Sequence, residues 1–281
     1  MTNNKLLKLK ATNARKNLLK VVNYAGAGHI GGPLSAIDIL TTLYFHEMNV
    51  DPSDPKAPNR DRFVLSKGHS AIGLYCVLAE KGYLEYKELF TFDSIDSRLQ
   101  GHPDMNALPC IEMSTGSLGQ GISAAVGMAL GAKLKNEDFR VYCMIGDGES
   151  QEGQVWEAAF IAEKYKLDNL VVIIDYNKLQ QYGWPTIDNH RLAPNDNLEE
   201  KWTAFGWHVF RIDGHSYDEI SKTLSEAKTI KGKPSIIIAD TIKGKGISFM
   251  EGNYLWHSKV PSDEELATAL EELNTIGGVE Q

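Results

Sequence analysis

The sequence predicts an α/β fold, a mostly parallel sheet with helices on both faces, and two observations predict it. Apolar runs of strand length (Arg62 to Leu65, Val141 to Ile145, Leu170 to Ile174, Trp207 to Ile212, Ser235 to Ala239) alternate with helical periodicity. Such alternation builds parallel strands joined by crossing helices. Two neighbouring runs then break into polar residues, one at Gly146-Asp147-Gly148 and the other at Asp175-Tyr176-Asn177. Two strand ends therefore present a carboxylate and an amide. A hydrophobic share of 42% over 281 residues supplies a sizeable core. No repeat or low-complexity tract divides the chain, so residues 1–281 read as a single domain.

The elements follow in order. Leu7, Ala11, Ala14, Leu18, Val21 and Ala25 recur at spacings of three and four, the mark of a helix with one buried face, and Gly26 and Gly28 end it. Gly28-His29-Ile30-Gly31-Gly32-Pro33 reads as a turn, with Ser35 and Asp38 as a capping box opening the next helix. Residues 51–62, with three prolines, form a loop before the strand ending at Leu65. Ala71 to Ala79 is helical, which puts His69 at a strand-to-helix junction where free N–H groups suit an anion. Gly101-His102-Pro103 is a turn, and the glycine-rich loop 115–121 feeds a helix of small residues, Ala124 to Gly131. A helix carries Val155, Ala159 and Ala162. Residues 180–197 form a long polar loop, Tyr217 to Ala227 is helical, Ser262 and Glu265 cap a last helix, and residues 277–281 fray.

Composition excludes several classes. Cys76, Cys110 and Cys143 lie far apart with no CxxC pair, so neither a zinc site nor a disulfide framework is expected and a reducing cytoplasm fits. No apolar run spans a bilayer, and the N-terminus lacks a secretory pattern. A formal net charge of −8 argues against nonspecific nucleic-acid binding.

Asp147 and Asn177 offer oxygens to a hard divalent cation, and a carbonyl at Leu179 could complete the protein set, with phosphates supplying the rest. Glycines at 146 and 148 let the main chain approach an anion. Of the eight histidines, His29, His69, His102 and His257 fall in loop contexts suited to hydroxyl recognition and proton transfer. His46, His190, His208 and His215 read as ordinary surface residues.

Gly28-His29 with Gly32-Pro33, Ser66-Lys67-Gly68-His69, Gly101-His102-Pro103, residues 116–121, Gly146-Asp147-Gly148 with Glu152-Gly153, and Asn177-Lys178 together resemble the thiamine-diphosphate domain of transketolase. The match runs in order from about His29 to His257. Ser117 stands where the family usually has proline, and the 177–185 loop departs from the common pattern.

The resemblance implies a thiamine-diphosphate-binding fold. Asp147, Asn177 and the Leu179 carbonyl would bind Mg2+, or another divalent cation such as Ca2+ or Mn2+. His69, Gly148 and His257 would approach the diphosphate, and Gly116, Ser117, Leu118 and Glu149 join the cofactor set. His29, His102 and His257 would be the catalytic residues at the sugar. Glu152 and Glu157 correspond to acidic residues at a subunit interface. It implies ketol transfer from a ketose to an aldose, with the activating glutamate on a following pyrimidine-binding domain. The chain therefore resembles the N-terminal subunit of a split enzyme, working in an α2β2 assembly with a C-terminal subunit. The alternatives are the α subunit of a 2-oxoacid dehydrogenase, a 1-deoxyxylulose-phosphate-synthase-like enzyme and a non-catalytic thiamine-diphosphate-binding protein.

Overall fold

A computed structural model describes residues 3–181, 186–187, 190–191 and 197–277. The expected frayed tail, from residue 278 on, and most of the polar loop (182–185, 188–189 and 192–196) lie outside the described residues. The elements run α1 (Asn4–Ala25), α2 (Gly31–Thr42), β1 (Arg62–Leu65), α3 (Ala71–Lys81), α4 (Gln120–Lys135), β2 (Val141–Gly146), α5 (Gly153–Lys164) and β3 (Leu170–Tyr176). A two-residue pair follows, β4 (Thr186–Ile187) and β5 (His190–Arg191), then α6 (Leu198–Ala204), β6 (His208–Asp213), α7 (Tyr217–Ala227), β7 (Ser235–Asp240) and α8 (Asp263–Gly277).

The main sheet is parallel throughout, in the order β1-β2-β3-β7-β6. Strand periodicity of two sorts its side chains between two cores. Val141, Cys143, Ile145, Val172, Ile174, Ile236 and Ile238 share one core with residues of α4, α5 and α6. Tyr142, Met144, Val171, Ile173, Ile237 and Ala239 share the other with α1, α2, α3, α7 and α8. Every residue of β2 and β3 is buried, as expected of strands covered on both faces. At the edge, β6 is partly exposed, and Arg211 reaches Asp240 and Glu199, each at 2.7 Å.

Helix ends follow local chemistry. The Asn3 side chain accepts the Leu6 N–H at 3.1 Å to open α1, and Gly26 closes it at φ 65°. The expected capping box at Ser262 is present in both directions, Glu265 N–H to Ser262 Oγ and Ser262 N–H to Glu265 Oε2.

The one expected at Ser35 and Asp38 is not. The second helix starts four residues earlier than Ser35, at Gly31, because Pro33 in a first turn forfeits an N–H that has no intrahelical partner anyway. A Cβ on Gly31 would meet the Trp256 carbonyl at 2.8 Å, so this helix start is packed tightly under the chain. Ser35 instead reaches Asp175 at 2.6 Å, and Asp38 pairs with Arg15. Sequence periodicity also did not reveal the short α6, whose Trp202 is wholly buried between Trp156 and Trp207 at ring distances of 5.0 and 4.9 Å.

Candidate active site

Ligands of parallel α/β sheets gather at the carboxyl ends of the strands. Here β1 delivers Ser66 and Lys67, β2 delivers Asp147, β3 delivers Asp175 and Asn177, and β7 delivers the segment that begins at Thr241. A cavity of about 370 Å³ opens above them. Its walls include His29, His69, Gly116, Leu118, Gly148, Glu149, Glu152, Leu179 and His257, together with Asp147 and Asn177.

Two carboxylates stand at the strand ends beneath it, Asp147 in its wall and Asp175 behind. Asp175 is fully buried and is met by Lys67, Ser35 and Thr241. Burial opposes its charge, but Lys67 and the two hydroxyls hold its carboxyl below the usual range. Asp147 accepts backbone N–H groups from Gly148 at 2.7 Å and Lys178 at 2.6 Å. Burial, and then the charge of Asp175, push its carboxyl up to about 6. Asn177 Oδ1 accepts from the Leu179 N–H at 3.1 Å. The ammonium of Lys243 donates to the carbonyls of Leu179 at 3.1 Å and Gln180 at 2.7 Å and to His257 Nδ1 at 2.9 Å. Burial and Lys67 lower the Lys243 amine to about 8.

These donors fit a hard cation. A positive group already stands at the Leu179 carbonyl, and the raised Asp147 carboxyl is the group a dication would return to its charged form. Among the described residues no three His, Cys, Asp or Glu converge as a metal cluster.

Three of the expected histidines meet in the cavity wall. His29 lies 5.2 Å from His69 and 5.1 Å from His257, ring to ring, and His69 lies 5.5 Å from His257. The Ile30 N–H donates to the His257 carbonyl at 3.2 Å, tying two of their loops together. Burial, then Lys67, hold His69 down at about 2; burial, then Lys243, hold His257 at about 3; burial, then His102, lower His29. All three are therefore neutral imidazoles near pH 7, each with one donor and one acceptor nitrogen. Since an ammonium only donates, His257 Nδ1 accepts from Lys243 and its proton sits on Nε2.

His102 stands one step back, 6.3 Å from His29, against Gly116, where a Cβ would meet its ring at 3.0 Å. Gly68 is equally constrained, since a Cβ there would lie 2.7 Å from the Gly116 nitrogen. Glu149 is a brace between loops: Oε1 takes the Gly119 N–H at 2.8 Å and the Ser66 hydroxyl, and Oε2 takes the Gly146 N–H at 3.1 Å. Ser117 is exposed outside the cavity wall, and Glu152 and Glu157 are exposed at the start of α5 and along it.

Lys243, Asp175, Gln151, Gln180 and Gln181 were not singled out by sequence as site residues. Lys243 carried a weak signal, a lysine between a strand end and two glycines. His215, expected to be an ordinary surface residue, is instead drawn into a polar network with Asp38. His46 is exposed as expected, and the side chain of His190 lies outside the described residues.

Residues 8–275 match the family described as transketolase, thiamine diphosphate binding domain. The chain belongs to the transketolase family. Among its relatives, the 6-deoxy-6-sulfo-D-fructose transketolase subunit SqwG of Clostridium sp. (strain MSTE9) is 46% identical, across 96% of this chain and 97% of that protein. An apulose-4-phosphate transketolase subunit of Phocaeicola vulgatus is 42% identical, across 95% and 94%. The crystal structure of transketolase from Campylobacter jejuni superposes with a TM-score of 0.88 at 34% identity, covering 100% of this chain and 44% of that one. This transketolase chain thus matches subunit-length relatives nearly end to end and under half of the longer Campylobacter chain. Its described residues include no helix long and apolar enough to cross a membrane.

Proposed function

We propose that this chain is the cofactor-binding subunit of a two-chain, cytoplasmic transketolase, holding thiamine diphosphate through Mg2+ and passing a two-carbon ketol group from a ketose to an aldose. The observation that carries the reading is the meeting of the Asp147, Asn177 and Leu179 oxygens with three neutral imidazoles in one cavity. In this reading residues 1–281 form the diphosphate-side domain. A C-terminal subunit with the pyrimidine-binding domain completes the site, in an α2β2 assembly, and Glu152 and Glu157 meet the interface. The subunit names and matching lengths of two relatives support a separate partner.

Thiamine diphosphate supplies the nucleophilic carbon for breaking and making the carbon–carbon bond. This chain supplies position and proton handling. Asp147, Asn177 and the Leu179 carbonyl hold the cation, while His69, Gly148 and His257 face the diphosphate. Gly116 and Leu118 bound the ring side of the cavity, Ser117 joins the cofactor set from the exposed turn between them, and Glu149 fixes the loops that carry them. His29, neutral, accepts a proton from a sugar hydroxyl and returns it, His257, with Nδ1 taken by Lys243, donates from Nε2 to a sugar oxygen, and His102 contacts the sugar beside them. The named substrates of the two relatives are ketoses with a terminal sulfonate or phosphate, which makes an anion-tailed ketose the proposed donor class.

The test is reconstitution with the partner chain. Ketol transfer is expected only when both chains, thiamine diphosphate and Mg2+ are present. Transfer by this chain alone, or a complex inert toward sulfonated and phosphorylated ketoses alike, would overturn the proposal.

A further inference from the structure

His215 binds something different with each ring nitrogen. Nε2 accepts the backbone N–H of Ile242 at 2.9 Å, so the ring proton sits on Nδ1 and is donated to Asp38 Oδ2 at 2.8 Å. Asp38 is a hub. It also accepts both Arg15 Nη atoms, at 2.9 and 2.6 Å, and the Tyr217 hydroxyl at 2.7 Å. Burial opposes its charge, yet Arg15 and His215 hold the carboxyl far below the usual range. With four donors converging from α1, α7 and the turn before α7, the carboxylate cannot swing, and the His215 ring is fixed with it.

The ring grips the strap from Thr241 to Gly246. Thr241 is held by Asp175, the Gly244 N–H donates to the Gly31 carbonyl at 2.9 Å, and the Lys245 carbonyl accepts Arg15 Nε at 3.1 Å. Gly244, at φ 79°, passes so close to Met250 that a Cβ would fall 2.4 Å from its carbonyl. Lys243 turns from this strap into the cavity, to Leu179, Gln180 and His257. The Ile242 N–H lies directly before Lys243, so its anchor sets the direction in which that side chain leaves.

We propose that His215, oriented by Asp38, is a positioning residue that places Lys243 in the cavity by holding the strap at Ile242. The effect on cofactor affinity rests on the reading of the cavity as a thiamine-diphosphate site; the grip itself does not.

An asparagine amide reaches as far as Nδ1 and a glutamine amide as far as Nε2. His215→Asn therefore keeps the bond to Asp38 and releases Ile242, whereas His215→Gln keeps Ile242. Amide hydrogen exchange on the full chain without cofactor is expected to run about tenfold faster over residues 241–246 in His215→Asn, and to stay within about threefold of the parent in His215→Gln. Thiamine-diphosphate affinity of the two-chain complex should follow the same order. Unchanged exchange in His215→Asn, or the reverse order, overturns the proposal, because a ring that merely stabilises Asp38 would be replaced better by asparagine. If His215→Asn does not fold, long-range nitrogen–proton NMR of the parent chain decides: an Nδ1–H tautomer at His215 supports the grip, and an Nε2–H tautomer overturns it. Should the parent complex bind no thiamine diphosphate while the exchange order holds, the cofactor reading fails and the grip stands.

Discussion

Asp147 and Asp175 stand at the ends of adjacent strands, both buried, one lining the cavity and the other beneath it, yet their charges are treated oppositely. Lys67 and two hydroxyls balance Asp175 from within the chain, and its carboxyl is lowered. Asp147 is raised, and Asp175 itself is part of the reason. The difference teaches how a fold divides labour between like residues. One carboxylate is an internal strut, complete once the chain has folded; the other is kept at a cost that a bound cation would remove.

The largest effect should come from Asp147→Ala. Titration calorimetry of the two-chain complex is expected to show Mg2+-dependent thiamine-diphosphate affinity falling by at least about 100-fold, and retained affinity would break the comparison. Next comes Lys67→Met, which leaves Asp175 buried and charged with no cation beside it, only neutral donors such as Ser35 and Thr241. Urea unfolding of the cofactor-free chain should show a loss of about 3–5 kcal/mol, much of it recovered in Lys67→Met combined with Asp175→Leu. A double variant no better than the single one would mean that Asp175 is more than a strut.

Smaller is the pH effect. His69, His257 and His29 are depressed in the folded chain, whereas the unfolded chain protonates them near an ordinary value of about 6.5. As pH falls below that value the unfolded state takes up protons the folded state refuses, so stability drops. Asp147 acts in the opposite sense between about 6 and its unfolded value of about 4, and the raised Glu149, Asp61 and Glu112 act with it, but a raised carboxyl contributes only once the pH reaches its folded value, whereas the three imidazoles act from about 6.5 downward. The melting temperature of the cofactor-free chain is expected to fall between about pH 7.5 and pH 5, and His69→Gln should flatten that slope; a melting temperature that rises toward pH 5 would contradict it. The smallest effect belongs to Glu157→Gln on the exposed face of α5. Its stability should change by less than about 0.5 kcal/mol, and sedimentation would show the change in association with another chain.

Much of this was legible in sequence because it is local. Strand runs, the capping box at Ser262 and the glycine-bracketed Asp147 all depend on residues a few positions apart. The second helix was misread because Gly-Gly-Pro breaks helices in general but tolerates a first turn, and the deciding contact, Trp256 over Gly31, comes from the far end of the chain. Lys243 and His215 were missed for the same reason. Their partners, Leu179 and Asp38, lie 64 and 177 residues away, and no periodicity reports a distance of that kind.

The partly exposed strand β6 has a consequence for assembly. An open strand edge invites another chain to add a strand, and charged residues at the edge discourage it. Arg211, tethered to Glu199 and Asp240, puts such charge on this margin. Growth of the sheet into a neighbouring molecule across β6 is thereby disfavoured.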